Sequence, residues 1–205
     1  MKRLLGLLIG TLFAVLLVSG SSLAYFSYVE ASDGNSSARG TPELEIVSDG
    51  SAVCTFQMSG VVPGNSGRSR NRLINAGSLA GGLGVRFSAV VNTPGTSGEY
   101  ADGSGDLGAY AEIAVYIDVD RSEKWDRGDI GLKSDATTYS HPTALDYDAV
   151  DNYGGVGWDM VATMTGSAAH DFIIMWRIPT TAGNEIQGDS VSFDITFILE
   201  PVAAD

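Results

Sequence analysis

Residues 190–199 admit one regular structure. Val191, Phe193, Ile195 and Phe197 alternate with Ser192, Asp194 and Thr196. That period of two is what a half-buried strand needs, whereas a helix would scatter the same residues around its circumference. Weaker versions recur along the chain. Leu44 and Ile46 alternate in 43–47, and 53–58 is a second run. Residues 68–74 alternate Arg68, Arg70 and Arg72 with small or polar residues. Val85, Phe87 and Ala89 share a face in 84–91, as do Ile113, Val115 and Ile117 in 111–117. Residues 172–178 are apolar throughout and include Trp176. Turn signals such as Val61-Val62-Pro63-Gly64 separate these runs, and 26 glycines stand in 205 residues. Seven or so strands joined by glycine-rich turns predict an all-β fold, a β-sandwich. Residues 133–157 lack strand periodicity and read as a long excursion with a short helix near 143–150.

Such a fold has to rest on its core. Cys54 is the only cysteine, so no internal disulfide forms. It lies in the apolar run Val53-Cys54-Thr55-Phe56 and reads as a small buried hydrophobe rather than a reactive thiol or an intermolecular bridge. The net charge of −13 repels polyanions, which argues against nucleic acid and anionic lipid as partners.

The first residues read as an export signal. Lys2 and Arg3 precede an apolar run over 4–18, and Ser22 and Ala24 occupy the −3 and −1 positions of a signal-peptidase site. Cleavage between Ala24 and Tyr25 divides the chain into a signal peptide (1–24), an N-terminal strand with its linker (25–40) and a body (41–205), and predicts an extracellular product. The alternative is a retained anchor, since 4–24 just reaches spanning length. The new N-terminus, Tyr25-Phe26-Ser27-Tyr28-Val29, is aromatic and alternating. Phe26 and Tyr28 share one face, and Tyr25, Ser27 and Val29 the other. Residues 31–40 are small and polar and read as a flexible linker. Asn35-Ser36-Ser37 within it is a glycosylation sequon, used or unused. A tethered strand of this kind either pairs with another subunit or is the first strand of its own domain.

Further motifs follow in order: Gly40-Thr41-Pro42-Glu43-Leu44, Val62-Pro63-Gly64-Asn65, Asn75-Ala76-Gly77-Ser78-Leu79-Ala80, and Gly183-Asn184-Glu185-Ile186-Gln187-Gly188-Asp189-Ser190. Together with the aromatic pair after Ala24, their order and spacing resemble the TasA/camelysin (CalY) family of secreted filament-forming proteins. The acidic, glycine-rich middle is closest in character to archaeal bundling-pilus subunits. The resemblance covers both ends and the first half of the body, not residues 100–166. Asn65 stands where the family carries an acid, and Pro42-Glu43 where Leu-Asp is common. The resemblance implies a jelly-roll-like β-sandwich and a donor strand, Tyr25, Phe26, Ser27, Tyr28 and Val29, that completes the next subunit's sheet. The product is then a head-to-tail homopolymer, with lateral bundling between filaments and a role in cell adhesion or a biofilm matrix. The alternative is a monomeric, calcium-stabilised surface or adhesive domain.

The calcium expectation comes from the residues. Counted from Asp118, oxygen-bearing side chains fall at positions one, three, five, nine and twelve: Asp118, Asp120, Ser122, Asp126 and Asp129. The Lys124 carbonyl stands at seven. That is EF-hand-like spacing. Against it, position six is Glu123 rather than glycine, and Arg121, Lys124 and Arg127 offer to neutralise the acids in a solvated turn instead. The Arg68, Arg70 and Arg72 stripe reads either as a charged edge strand or as a surface that pairs with an acidic neighbour.

Catalysis finds little support. Camelysin-type proteins have been grouped with metallopeptidases, but no H-E-x-x-H stands here. His141 and His170 are far apart in sequence and read as surface or turn residues. No nucleophile elbow and no phosphate-binding glycine loop is present. The expectation is a structural protein, not an enzyme.

Overall fold

In the computed structural model the described residues are 23–28, 43–46, 50–95 and 105–202. The signal peptide up to Ser22, Val29, the linker and Asn35 lie outside them. The expected all-β sandwich is what forms. The strands are β1 (Leu23–Tyr28), β2 (Glu43–Ile46), β3 (Gly50–Ser59), β4 (Ser66–Asn75), β5 (Gly81–Phe87), β6 (Val91–Thr93), β7 (Glu112–Asp118), β8 (Ile130–Leu132), β9 (Thr138–Ser140), β10 (Asp148–Ala149), β11 (Gly157–Met164), β12 (Ala169–Arg177) and β13 (Ser190–Pro201). A single-turn helix, α1 (Leu107–Tyr110), precedes β7.

Two sheets form. One runs β1-β3-β13-β5-β11, with β6 beside β5 on β13. The other runs β2-β4-β12-β7-β8-β9, with β10 beside β8 on β7. Every pairing is antiparallel except β2 with β4. β13 delivers the predicted alternation: Val191, Phe193, Ile195, Phe197 and Leu199 are all buried. They meet the inner faces of β3, β5 and β12 in an aromatic core. Phe87 stacks on Phe193 at 4.9 Å, and Phe172 meets Phe197 edge-on at 4.9 Å. Such pairs add to simple area burial.

β7 and β12 are buried on both faces. Ile113, Ala114, Val115, Tyr116 and Ile117 all lack exposure, as do Phe172, Ile173 and Ile174. The 133–157 excursion explains this and corrects the expectation for it. β8, just before it, and its own short strands β9 and β10 extend the second sheet. Their loops fold over its outer face, where Trp125 packs between Tyr116 (5.4 Å) and Tyr139 (5.2 Å). Gly131 leaves room for this layer, because a Cβ there would fall 2.2 Å from the Tyr139 ring. The helix expected near 143–150 is instead a 3₁₀ turn at Val150–Tyr153.

Three of the motifs behind the family resemblance lie at turns between the sheets. Gly64 adopts φ +87°. Asn65 closes that turn twice: its N–H donates to Val62 O (3.0 Å) and its Oδ1 accepts from Val62 N (3.0 Å). Asn75, fully buried, donates Nδ2 to Leu79 O (2.8 Å) and Met164 O (2.9 Å), and its Oδ1 accepts from Gly77 N (3.0 Å). Asp189 accepts from Gly95 N (2.7 Å) and Asp106 N (2.9 Å), tying the end of β6 to the start of α1. Each residue satisfies backbone groups that a chain reversal leaves unpaired.

Candidate functional site

Two features stand out: the place β1 occupies, and the loop between β7 and β8. β1 is the terminal strand of its sheet and pairs antiparallel with β3 of its own chain. The register sets Ala24, Phe26 and Tyr28 opposite Met58, Phe56 and Cys54, and Tyr25 and Ser27 opposite Gln57 and Thr55. Phe26 and Tyr28 thus stand in register with the buried β3 residues Phe56 and Cys54. The strand starts two residues before the expected cleavage point, at Leu23, so a cut after Ala24 leaves Tyr25 to Tyr28 of it. β1 also runs alongside β4. Cys54 lies on the core side of this slot, and Ser69 and Asn71 share the buried face of β4. Asn71 Nδ2 lies 3.4 Å from Cys54 Sγ. Burial, with the Asp194 charge adding to it, pushes the Cys54 thiol well above its ordinary range, which fits the expected inert hydrophobe.

The opposite edge of that sheet differs. β11 breaks its register with β5 between Trp158 and Ala162, and Met160 stands there at φ +50°, half exposed. A bulge of this kind twists an edge away from further pairing.

The acidic loop closes a hairpin whose last paired residues are Ile117 and Ile130. Asp118 and Asp129 therefore flank its mouth, and both are buried. With exposed Asp120 they place carboxylate oxygens within 4.8 Å of one another. Asp118 accepts from Ser122 N (3.1 Å) and Glu123 N (2.7 Å). Asp129 accepts from Val119 N (3.2 Å) and Asp126 N (3.0 Å). Burial, opposed by these N–H groups and reinforced by Asp129, raises the Asp118 carboxyl to about 6. Burial raises Asp129 as well. Ser122 Oγ donates to Asp126 (2.9 Å), with the Lys124 carbonyl 3.3 Å from it as the alternative acceptor. Three of the six expected ligand groups thus converge, and the other three hydrogen-bond among themselves beside them.

Both objections to a cation are answered differently from expectation. Glu123 takes φ +60° without being glycine. Among the described residues Arg121, Lys124 and Arg127 form no ion pair with these acids. Glu123 instead turns outward and pairs with Arg68 and Arg70, while Asp171 faces Arg70 (3.5 Å) and Arg72 (3.4 Å). β2 lies along β4 only from Arg72 to Asn75, so among the described residues Arg68 and Arg70 stand on a stretch of β4 paired with β12 alone, in part the charged edge that was expected. Its charges are met inside the chain. The signal missed was parity: Asp171 stands opposite Arg72. Parity also puts Ser69 and Asn71 on the inward side with Leu73.

The histidines are separate. His141 is exposed, 6.5 Å from Trp125. His170 is buried rather than at the surface, its Nδ1 donating to Val119 O at 3.0 Å. No protein-family model and no characterised protein matches the chain.

Proposed function

We propose that the chain is a secreted structural subunit that polymerises into extracellular filaments, each copy lending β1 to the β3 edge of the next. The observation that carries this reading is a terminal strand seated on a regular sheet edge at the end of a long tether. Residues 29–42 separate it from β2. Fourteen residues span at most about 46–50 Å when extended. A body of this size is roughly 40 Å across, so the strand can reach a neighbouring copy. β2 cannot do the same, because only residues 47–49 join it to β3.

A transferred β1 keeps the same backbone pairing, so exchange costs few contacts and gains a partner by β-augmentation. The bulged β11 offers no second regular edge on that sheet. Donation to one edge is heterologous and propagates into an open filament. The likeness to the TasA/camelysin (CalY) family, including its jelly-roll connectivity, adds to this reading, as do the export signal and an acidic surface. Filaments carrying this charge bundle laterally only where salt or cations screen it. In this reading they serve cell–cell adhesion or a surface matrix.

The hairpin loop binds calcium in this proposal. Asp118, Asp120 and Asp129 supply carboxylates, and Ser122, Asp126 and the Lys124 carbonyl complete an all-oxygen set. What supports it is the pair of buried carboxyls with raised pKa values side by side, a costly arrangement that a divalent cation offsets. The loop favours one second reading: a monomeric, calcium-stabilised adhesive domain whose β1 stays at home.

Electron micrographs of the mature chain separate the two readings. Long unbranched filaments are expected once the protein is concentrated. A monodisperse monomer at every concentration, with and without calcium, contradicts strand donation.

A further inference from the structure

The core beneath β1 is unusually polar. Asn71 is fully buried and Ser69 is 6% exposed. Neither Asn71 Oδ1 nor Ser69 Oγ finds a hydrogen-bond partner among the described residues. Both project inward from β4, the strand β1 runs beside. Asn71 reaches Cys54, the residue that stands opposite Tyr28 of β1. Buried acceptors without partners penalise the state that buries them, and water satisfies them once the site opens. Elsewhere in the core the unpartnered buried groups are indole donors, Trp158 Nε1 beside Phe87 (5.3 Å) and Trp176 Nε1, whereas Ser69 and Asn71 leave oxygens unmet.

We infer that the β1 slot has a wettable floor, formed by Ser69 and Asn71, that lets β1 leave β3 as a unit while the sandwich stays folded. The freed slot then fits β1 of a second copy. Its purpose rests on the strand-donation reading; its occurrence does not, because it is a property of the single chain. β3 keeps β13 as its other neighbour, so four strands of that sheet's main path remain paired when β1 departs.

Cys54 is a built-in reporter. It is the only thiol, it is 1% exposed, and its slot position is covered when β1 is seated. The test is the rate at which a small aromatic disulfide reagent labels Cys54 in the dilute mature chain. Global unfolding is measured in the same buffer. Labelling is expected at least ~100-fold faster than global unfolding permits, as for a local opening well below the global stability. Asn71→Leu, which removes the unmet acceptor, is expected to slow labelling ~10-fold. Ser69→Val should act in the same direction and serves if the first variant does not fold. Labelling only at the global unfolding rate overturns the inference, and so does labelling that neither substitution slows. Fast labelling in a chain that never forms filaments leaves the opening intact and removes strand donation. Filaments from a chain whose thiol reacts only on global unfolding remove the opening alone.

Discussion

A mature chain lacking residues 25–30 is expected to fold and to form no filaments at any concentration. The deletion takes the four post-cleavage residues of β1, Tyr25 to Tyr28, and leaves the other twelve strands. In the strand-donation reading Phe26 and Tyr28 carry the energetic weight, because the register pairs them with the buried Phe56 and Cys54. Burying two such side chains contributes on the order of 5 kcal/mol before ordering costs. Losing that contribution removes the link between copies entirely, whereas in the monomer it only opens an edge. The truncated chain should therefore melt cooperatively and bind added synthetic peptide corresponding to residues 25–30. Sedimentation and micrographs read the polymer, and a thermal melt reads the fold. Abundant filaments from the truncated chain would remove β1 from the account.

The second large effect concerns calcium and pH together. A calcium concentration about a hundredfold above Kd stabilises the folded state by about 2.7 kcal/mol. For a domain of this size that raises Tm by roughly 5–10 °C. Asp118→Asn should abolish the rise. The pH dependence follows from the carboxyl raised to about 6 in the fold, against about 3.9 when unfolded. The metal-free folded state thus holds its proton more tightly than the unfolded chain. The stability from that proton is fully present below about pH 4 and is lost as pH rises through about 6. Calcium takes the ionised form, so its stabilisation grows over the same interval and disappears below about pH 5. Glu123 runs the other way, because its hydrogen bonds to Arg68 and Arg70 hold its carboxyl below the usual range. Differencing wild type against Asp118→Asn isolates the site. Equal melting temperatures with and without calcium at pH 7 would leave the loop a hydrogen-bonded acidic turn.

Where the sequence is legible, one physical constraint dominates. β13 has one wet face and one buried face, so its alternation is clean. β7 and β12 are buried on both faces and read as plain apolar runs, which identify strands but not the layer that covers them. That layer escapes sequence reading because β8, β9 and β10 are two or three residues long, too short for periodicity to register. β11 escapes it too: its bulge at Met160 breaks the alternation. The acidic loop is readable from spacing, since a hairpin brings its first and last residues together whatever lies between. The fate of the arginines is not, because Glu123 and Asp171 come from other parts of the chain. Ser69 and Asn71 are within reach, as polar residues on the parity of Leu73, but parity says nothing about which strand lies over them.

Whether β1 is held by its own copy or by the next can be read from a covalent bond. Tyr28 stands directly opposite Cys54. Facing residues in an antiparallel pair have Cα atoms about 4.5–5.5 Å apart, within the range a disulfide spans. Tyr28→Cys protein, assembled and then mildly oxidised, is to be run on a denaturing gel without reductant. Strand donation predicts a ladder of dimers, trimers and longer covalent chains that collapses to monomer on reduction. A single monomer band, recovered from intact filaments and carrying an internal bridge from the introduced thiol to Cys54, would contradict it.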